Sequence, residues 1–134
     1  MPETLRRKAL RLFQLKRRLE SCDSDGYCTC VTCGKVDHYK NMQGGHFIAK
    51  GSSSYHAFAE DNVHVQCRGC NIYGMKHGET PYHYQNYMIE KYGKKHVDQM
   101  LADAKKPIKF YAADYREMIE AYNAKIKKLK SKML

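Results

Sequence analysis

Near the start of the chain Leu5, Ala9, Leu12, Phe13 and Leu19, with Lys16 on the same stripe, recur at helical spacing, while Arg6, Arg7, Arg11, Arg17 and Arg18 fall mostly on other faces. That period predicts an amphipathic helix. It should end near Ser21-Cys22-Asp23-Ser24-Asp25-Gly26, a run of turn formers. Further on the period changes. Met42 to Ala49 holds glycines followed by His46-Phe47-Ile48, and Asn62 to Gln66 alternates as strands do. These predict two short strands able to pair as a hairpin, with Ser52-Ser53-Ser54 read as a mobile connection between them. Asn71 to Gly78 predicts a short helix ended by Gly78, in spite of Gly74 inside it. Thr80-Pro81 opens another helix, with Thr80 as cap, and Gly93 stops it. Tyr84, Tyr87, Met88 and Tyr92 form its buried stripe. A helix from Lys95 to Ala104, an extended link over Lys106 to Tyr111, and a long helix marked by Tyr115, Met118, Ile119, Tyr122, Ile126, Leu129 and Met133 complete the pattern. The fold class is α+β, in three segments: 1–21, 22–79 and 80–134.

A chain of 134 residues, 43% hydrophobic, forms one compact domain with extensions rather than two independent cores. No apolar run approaches the ~18 residues that span a bilayer, and the first residues lack the apolar centre of a signal peptide. The expectation is a cytoplasmic protein without a membrane partner. The net charge of +10 is unevenly placed: residues 1–20 hold seven basic and two acidic side chains, and residues 123–134 hold five lysines and no acid. A neutral body with two basic ends suits a polyanion, and nucleic acid is the first expectation. Arg6, Arg7, Arg11, Arg17, Arg18, Lys125, Lys127, Lys128 and Lys130 are the candidate backbone contacts, joined by Lys76. The alternative is that these runs are solvated helix faces.

The cysteines narrow the chemistry. Cys30 and Cys33 form one Cys-x-x-Cys pair and Cys67 and Cys70 another, and a two-residue gap lets both sulfurs of a turn point at one ion. Four thiols close a tetrahedral structural Zn²⁺ site. A plain zinc ribbon leaves about 15 to 20 residues between its pairs. Here 33 residues intervene, enough for a hairpin that carries His46. Cys28 can form a Cys-x-Cys pair with Cys30, but the wider spacing serves one ion better, so Cys22 and Cys28 are read as ordinary thiols.

Gly45-His46-Phe47, Asn62, and His64-x-Gln66-Cys67-x-x-Cys70-Asn71 together resemble the zinc-stapled HNH (ββα-metal) nucleases of the endonuclease VII type. With Tyr92-Gly93 and Lys109-Phe110-Tyr111 in the tail, the likeness is closer to the lambdoid phage NinG/Rap recombination nucleases and covers about residues 25 to 130. The resemblance implies a ββα-metal core flanked by an N-terminal helix and a helical extension. It also implies a DNA endonuclease directed at branched recombination intermediates such as Holliday junctions and D-loops, acting in a bacterial host's cytoplasm. Asn62 matches the middle Asn of the HNH pattern, which ties the loop between the strands. Gly45 stands where the endonuclease VII type has a metal-binding Asp. His64 is the substitute by position, as metal ligand or phosphate contact.

Chemistry assigns the remaining roles. Phosphodiester hydrolysis needs an activated water and stabilisation of an anionic transition state, for which a neutral His and a divalent ion are suited. His46 is the candidate base. Asn71, fixed by its neighbour Cys70, offers an amide oxygen to Mg²⁺ or Mn²⁺. An imidazole ligand shifts the preference towards Mn²⁺. Paired incision of a junction needs a homodimer, for which the last helix is the candidate interface by elimination. His38, His56, His77, His83 and His96 are read as surface or packing residues. A non-catalytic, zinc-stabilised nucleic-acid-binding or adaptor module is the competing expectation.

Overall fold

Helix α1 spans Leu5–Ser21 in the computed structural model, which describes residues 2–133. The Thr4 hydroxyl accepts the Arg7 N–H at its start. Ala9, Leu10, Leu12, Phe13 and Leu19 are buried along one side, as the period requires. Lys16 is buried among them; its ammonium binds Glu20 at 3.2 Å and also Glu60.

Two antiparallel hairpins follow. β1 (Tyr27–Thr29) pairs with β2 (Val36–His38), a hairpin too short for alternation to reveal. β3 (Met42–His46) pairs with β4 (Val63–Cys67), setting Met42 opposite Cys67, Gly45 opposite His64 and His46 opposite Val63. The expected hairpin is present, although β3 stops at His46. The serine run between these strands is no mobile connection: Ser53 is buried and its hydroxyl caps the short helix α2 (Ser54–Ala57) by accepting the His56 N–H. After β4 a π-helical turn, Gly69–Gly74, runs on into α3 (Met75–His77). Then come α4 (Thr80–Tyr92), α5 (Lys94–Asp103) and α6 (Ala112–Ser131). Thr80 is the first helical residue of α4 rather than its cap, which is Glu79. Tyr84 and Met88 are fully buried, whereas Tyr87 and Tyr92 are half-buried.

One apolar cluster joins Leu12 and Leu19 of α1, Cys28, Tyr39, Met42, Val65, Cys67 and Ile126; the second joins Ile48, Tyr84, Met88, Val97 and Met100. Helix α6 lies along α1. Its Ile119, Tyr122, Ile126 and Leu129 pack into the first cluster. Arg6 reaches Tyr115 at one end, and Leu19 and Cys22 share a small pocket with Leu129 and Met133 at the other, so the helices run in the same direction. The basic ends therefore pack on each other, and the apolar face that made the last helix a candidate dimer interface is covered by α1. No helix among the described residues is long and apolar enough to cross a membrane.

Candidate metal centre and adjoining cleft

The turn of the β1–β2 hairpin carries Cys30 and Cys33, and the Val31 N–H donates to the Val65 carbonyl at 2.9 Å, which ties that turn to β4. Cys67 ends β4 and Cys70 lies in the π-helical turn. All four Sγ atoms fall within 4.8 Å of one another, with Cys33 and Cys67 3.7 Å apart. Tetrahedral zinc with Zn–S bonds of ~2.3 Å places its sulfurs about 3.8 Å apart. The thiols therefore fit one zinc ion. Cys22 and Cys28 stand outside the cluster, and burial pushes the Cys28 thiol up to about 11.

Beside the thiols lies a cleft of about 560 Å³ lined by Gln14, Gly44, His46, Lys50, Asn71 and Lys76, among others. His46 is half-buried, and its Nε2 lies 2.9 Å from the Ala57 carbonyl. A carbonyl only accepts, so Nε2 carries the hydrogen and Nδ1 keeps its lone pair. Burial holds this imidazole below its usual pKa, against the opposing effect of the Ala57 bond. It is a neutral ring with a fixed tautomer.

Asn62 and His56 support that arrangement. Asn62 is fully buried: its Oδ1 accepts the Ile48 N–H at 2.8 Å, and its Nδ2 donates to the Ile48 and His56 carbonyls at 2.9 and 3.1 Å. These bonds fasten the loop between β3 and β4 across its own mouth. His56, also buried, donates from Nε2 to the Met100 carbonyl at 2.7 Å and so anchors α2, the helix bearing the Ala57 carbonyl, to α5. His56 is thus a packing residue, one of the two expected alternatives, and the bond to Met100 says what it packs for. Its partner is 44 residues away, and no local signal reveals it.

Asn71 donates from Nδ2 to Gln43 Oε1 at 2.7 Å, which leaves its own Oδ1 for a ligand. Gln14 donates to the Gly44 carbonyl at 3.1 Å. Gly44 and Gly45 are required for close approach on opposite faces of β3. A Cβ at 44 would stand 2.9 Å from Gln14 Cβ, and one at 45 would stand 1.8 Å from Gln66 Oε1. The Gly45 carbonyl itself accepts the Tyr84 hydroxyl at 2.7 Å.

His64 is not brought to this cleft. It lies opposite Gly45, one residue out of phase with His46, so its ring leaves the other face of the hairpin. Nε2 lies 2.9 Å from the Tyr92 hydroxyl and Nδ1 3.1 Å from that of Tyr84. Both nitrogens are occupied, and burial drives the ring pKa down to about 3. Its expected part as metal ligand or phosphate contact is corrected accordingly. Among the described residues the four thiols are the one group of three or more His, Cys, Asp or Glu ligand atoms close enough to share an ion. No Asp or Glu is among the described residues that line the cleft with Asn71, so a hard cation held at its Oδ1 would need phosphate oxygens and water to complete its shell.

Of the candidate backbone contacts, Arg18 donates to the Tyr39 and Met42 carbonyls at 2.9 and 3.1 Å, and Arg17 to that of Val63 at 2.9 Å. Arg6 lies over the Phe58 ring, and Arg11 pairs with Glu3 at 3.0 Å. Arg17 and Arg18 hold strands in place. Arg7, Lys76, Lys125, Lys127, Lys128 and Lys130 remain exposed.

Fold and site together define an α+β protein organised on a four-cysteine, zinc-competent cluster with a histidine cleft at its side. The family model for the bacteriophage Lambda NinG protein matches residues 14–132, and the chain belongs to that family. No curated protein and no solved structure gives a significant match.

Proposed function

We propose that the chain is a metal-dependent DNA endonuclease of the HNH type, cutting branched recombination intermediates such as Holliday junctions and D-loops in the cytoplasm of a phage-infected bacterium. The observation that carries this reading is the state of His46: neutral, with Nε2–H on the Ala57 carbonyl and the Nδ1 lone pair left over, in a cleft that also holds Asn71, Lys50 and Lys76.

In this reading Nδ1 of His46 takes a proton from water and the resulting hydroxide attacks phosphorus. The bond from phosphorus to the 3′ oxygen breaks, and that oxygen leaves with a proton from solvent, giving a 5′-phosphate and a 3′-hydroxyl. Lys50 and Lys76 attract the phosphates. Asn71 Oδ1 is the protein oxygen that would hold Mg²⁺ or Mn²⁺, which supplies charge neutralisation at the phosphate when bound. Zinc held by Cys30, Cys33, Cys67 and Cys70 would serve as a staple, fixing the β1–β2 turn to the end of β4 and, through Cys70, the backbone that carries Asn71. Two incisions across a junction would come from two copies of the chain.

The test is cleavage of a labelled four-way junction and a matched linear duplex with Mg²⁺ or Mn²⁺. Wild type should cut the junction, and His46→Ala should cut at least about a hundredfold more slowly while retaining junction binding and zinc. A wild type that binds the junction and never cuts, or a His46→Ala protein with the wild-type rate, would overturn the reading in favour of a non-catalytic binding module. The lack of a carboxylate among the described residues lining the cleft is what that alternative explains best.

A further inference from the structure

The π-helical turn Gly69–Gly74 places two large apolar side chains in solvent next to the cleft. Ile72 is 48% exposed and Tyr73 68% exposed, and they directly follow Asn71. Ile72 shares the cleft wall with His46, Lys50 and Lys76. The Tyr73 ring leans on that of His77, with centroids 4.8 Å apart and planes at 39°. A short π-helical turn is an irregularity frequent at functional sites.

The turn is firmly held. At its start the Cys70 N–H donates to Cys67 Sγ at 3.4 Å, and both thiols belong to the zinc-competent cluster. Its end packs so tightly on α4 that a Cβ on Gly74 would stand 2.2 Å from Thr80 Oγ1. Ile72 and Tyr73 are therefore presented on a stiff base, and Lys50 and Lys76 share the cleft wall with Ile72 in a chain of net charge +10. An aromatic face beside lysines suits a polyanion that carries flat rings: the phosphates pair with the cations and a base stacks on the tyrosine.

We propose that Ile72 and Tyr73 form a stacking platform for an unpaired DNA base adjoining the phosphate held in the cleft. Bases in continuous duplex have both faces stacked, and exposing one costs a few kcal/mol, least where the strand is already single. The platform therefore favours unpaired nucleotides over intact duplex without reading sequence, since every base has a π-face. Its placement rests on the proposed nuclease reading, but its binding property does not.

The experiment uses the full-length His46→Ala chain with its zinc and no added divalent ion, so that binding alone is measured. Probes are a single strand, a duplex, and a duplex with an unpaired tract carrying 2-aminopurine. Tyr73→Ala should lose about tenfold or more in affinity for the two unpaired probes and change by less than about twofold on duplex, the size expected for one base–aromatic stack. Tyr73→Phe should retain wild-type affinity, and Lys76→Gln should weaken binding to all three. 2-Aminopurine fluorescence should be quenched by the parent and not by Tyr73→Ala. Zinc content and far-UV circular dichroism confirm that each variant is folded. Equal losses on paired and unpaired probes, no loss at all, or quenching that persists in Tyr73→Ala would overturn the proposal. A wild type unable to cut DNA would leave these binding results unaffected and would count only against the nuclease reading.

Discussion

Replacing Gly45 by alanine tests the packing that decides what this site can hold. The new Cβ would lie 1.8 Å from Gln66 Oε1 and 2.6 Å from its Cδ, so the carboxamide must withdraw by more than an ångström to reach even 3.0 Å. Gln66 is fully buried, and its Nε2 donates to Thr32 Oγ1 at 3.2 Å, an atom that itself lies 3.3 Å from Cys30 Sγ. Strain at residue 45 therefore reaches the thiol cluster. Overpacking of a filled core costs about 1–3 kcal/mol, and a collision with the end of a fully buried side chain places Gly45→Ala near the middle of that range, about 2 kcal/mol. In a Gln66→Ala background the obstruction is gone and the same change should be close to neutral, which makes the two sites coupled by about 2 kcal/mol. Urea unfolding of the four proteins at saturating zinc, followed by far-UV circular dichroism with a common slope, measures the cycle. Additivity within about 0.5 kcal/mol would refute the reasoning. By the same geometry Gly45→Asp would add a charge to the collision.

His64 predicts an acid dependence. Its folded pKa, about 3, lies below the usual 6.5, so between these values the unfolded chain binds a proton that the native chain does not, and stability is lost as pH falls through that window. By pH 5 the loss from His64 alone should be about 2 kcal/mol, and His64→Gln should show a shallower fall in urea midpoint; an equal fall would refute the assignment. His56→Ala frees α2 from α5 and should lower cutting by about tenfold to a hundredfold through misplacement of His46. DNA affinity should stay the same, and a wild-type rate would show that the Met100 anchor is dispensable. Metal analysis should find one zinc per chain, and chelation or Cys67→Ser should abolish cooperative unfolding. A chain that still unfolds cooperatively without metal would mean the thiols are not a structural site.

What was legible in the sequence followed from local rules. The α1 stripe follows the helical period, the thiol pairs follow knuckle spacing, and the β3–β4 pairing follows alternation. The rest depended on distant partners. Arg17 and Arg18 look like solvated charge until β4 and β3 supply carbonyls for them to satisfy. Lys16 falls on an apolar stripe because Glu60 meets it from 44 residues away. Ser53 reads as a flexible linker residue, although a buried helix start needs its hydroxyl. His64 is the instructive case: its position in the motif suggested a ligand, while strand parity, fixed only once the register is known, turned it towards Tyr84 and Tyr92.

The side-by-side course of α1 and α6 bears on how the molecule comes into being. Of the elements described, α6 leaves the ribosome last, yet its Ile126 sits in the same cluster as Leu12 and Leu19 of α1, which leaves first. The knuckles can load metal on the growing polypeptide, but α1 must wait for its cover until α6 has emerged. A product of interrupted translation would therefore leave part of that greasy stripe open to chaperones and proteases, and synthesis through α6 becomes a precondition for closing the first cluster.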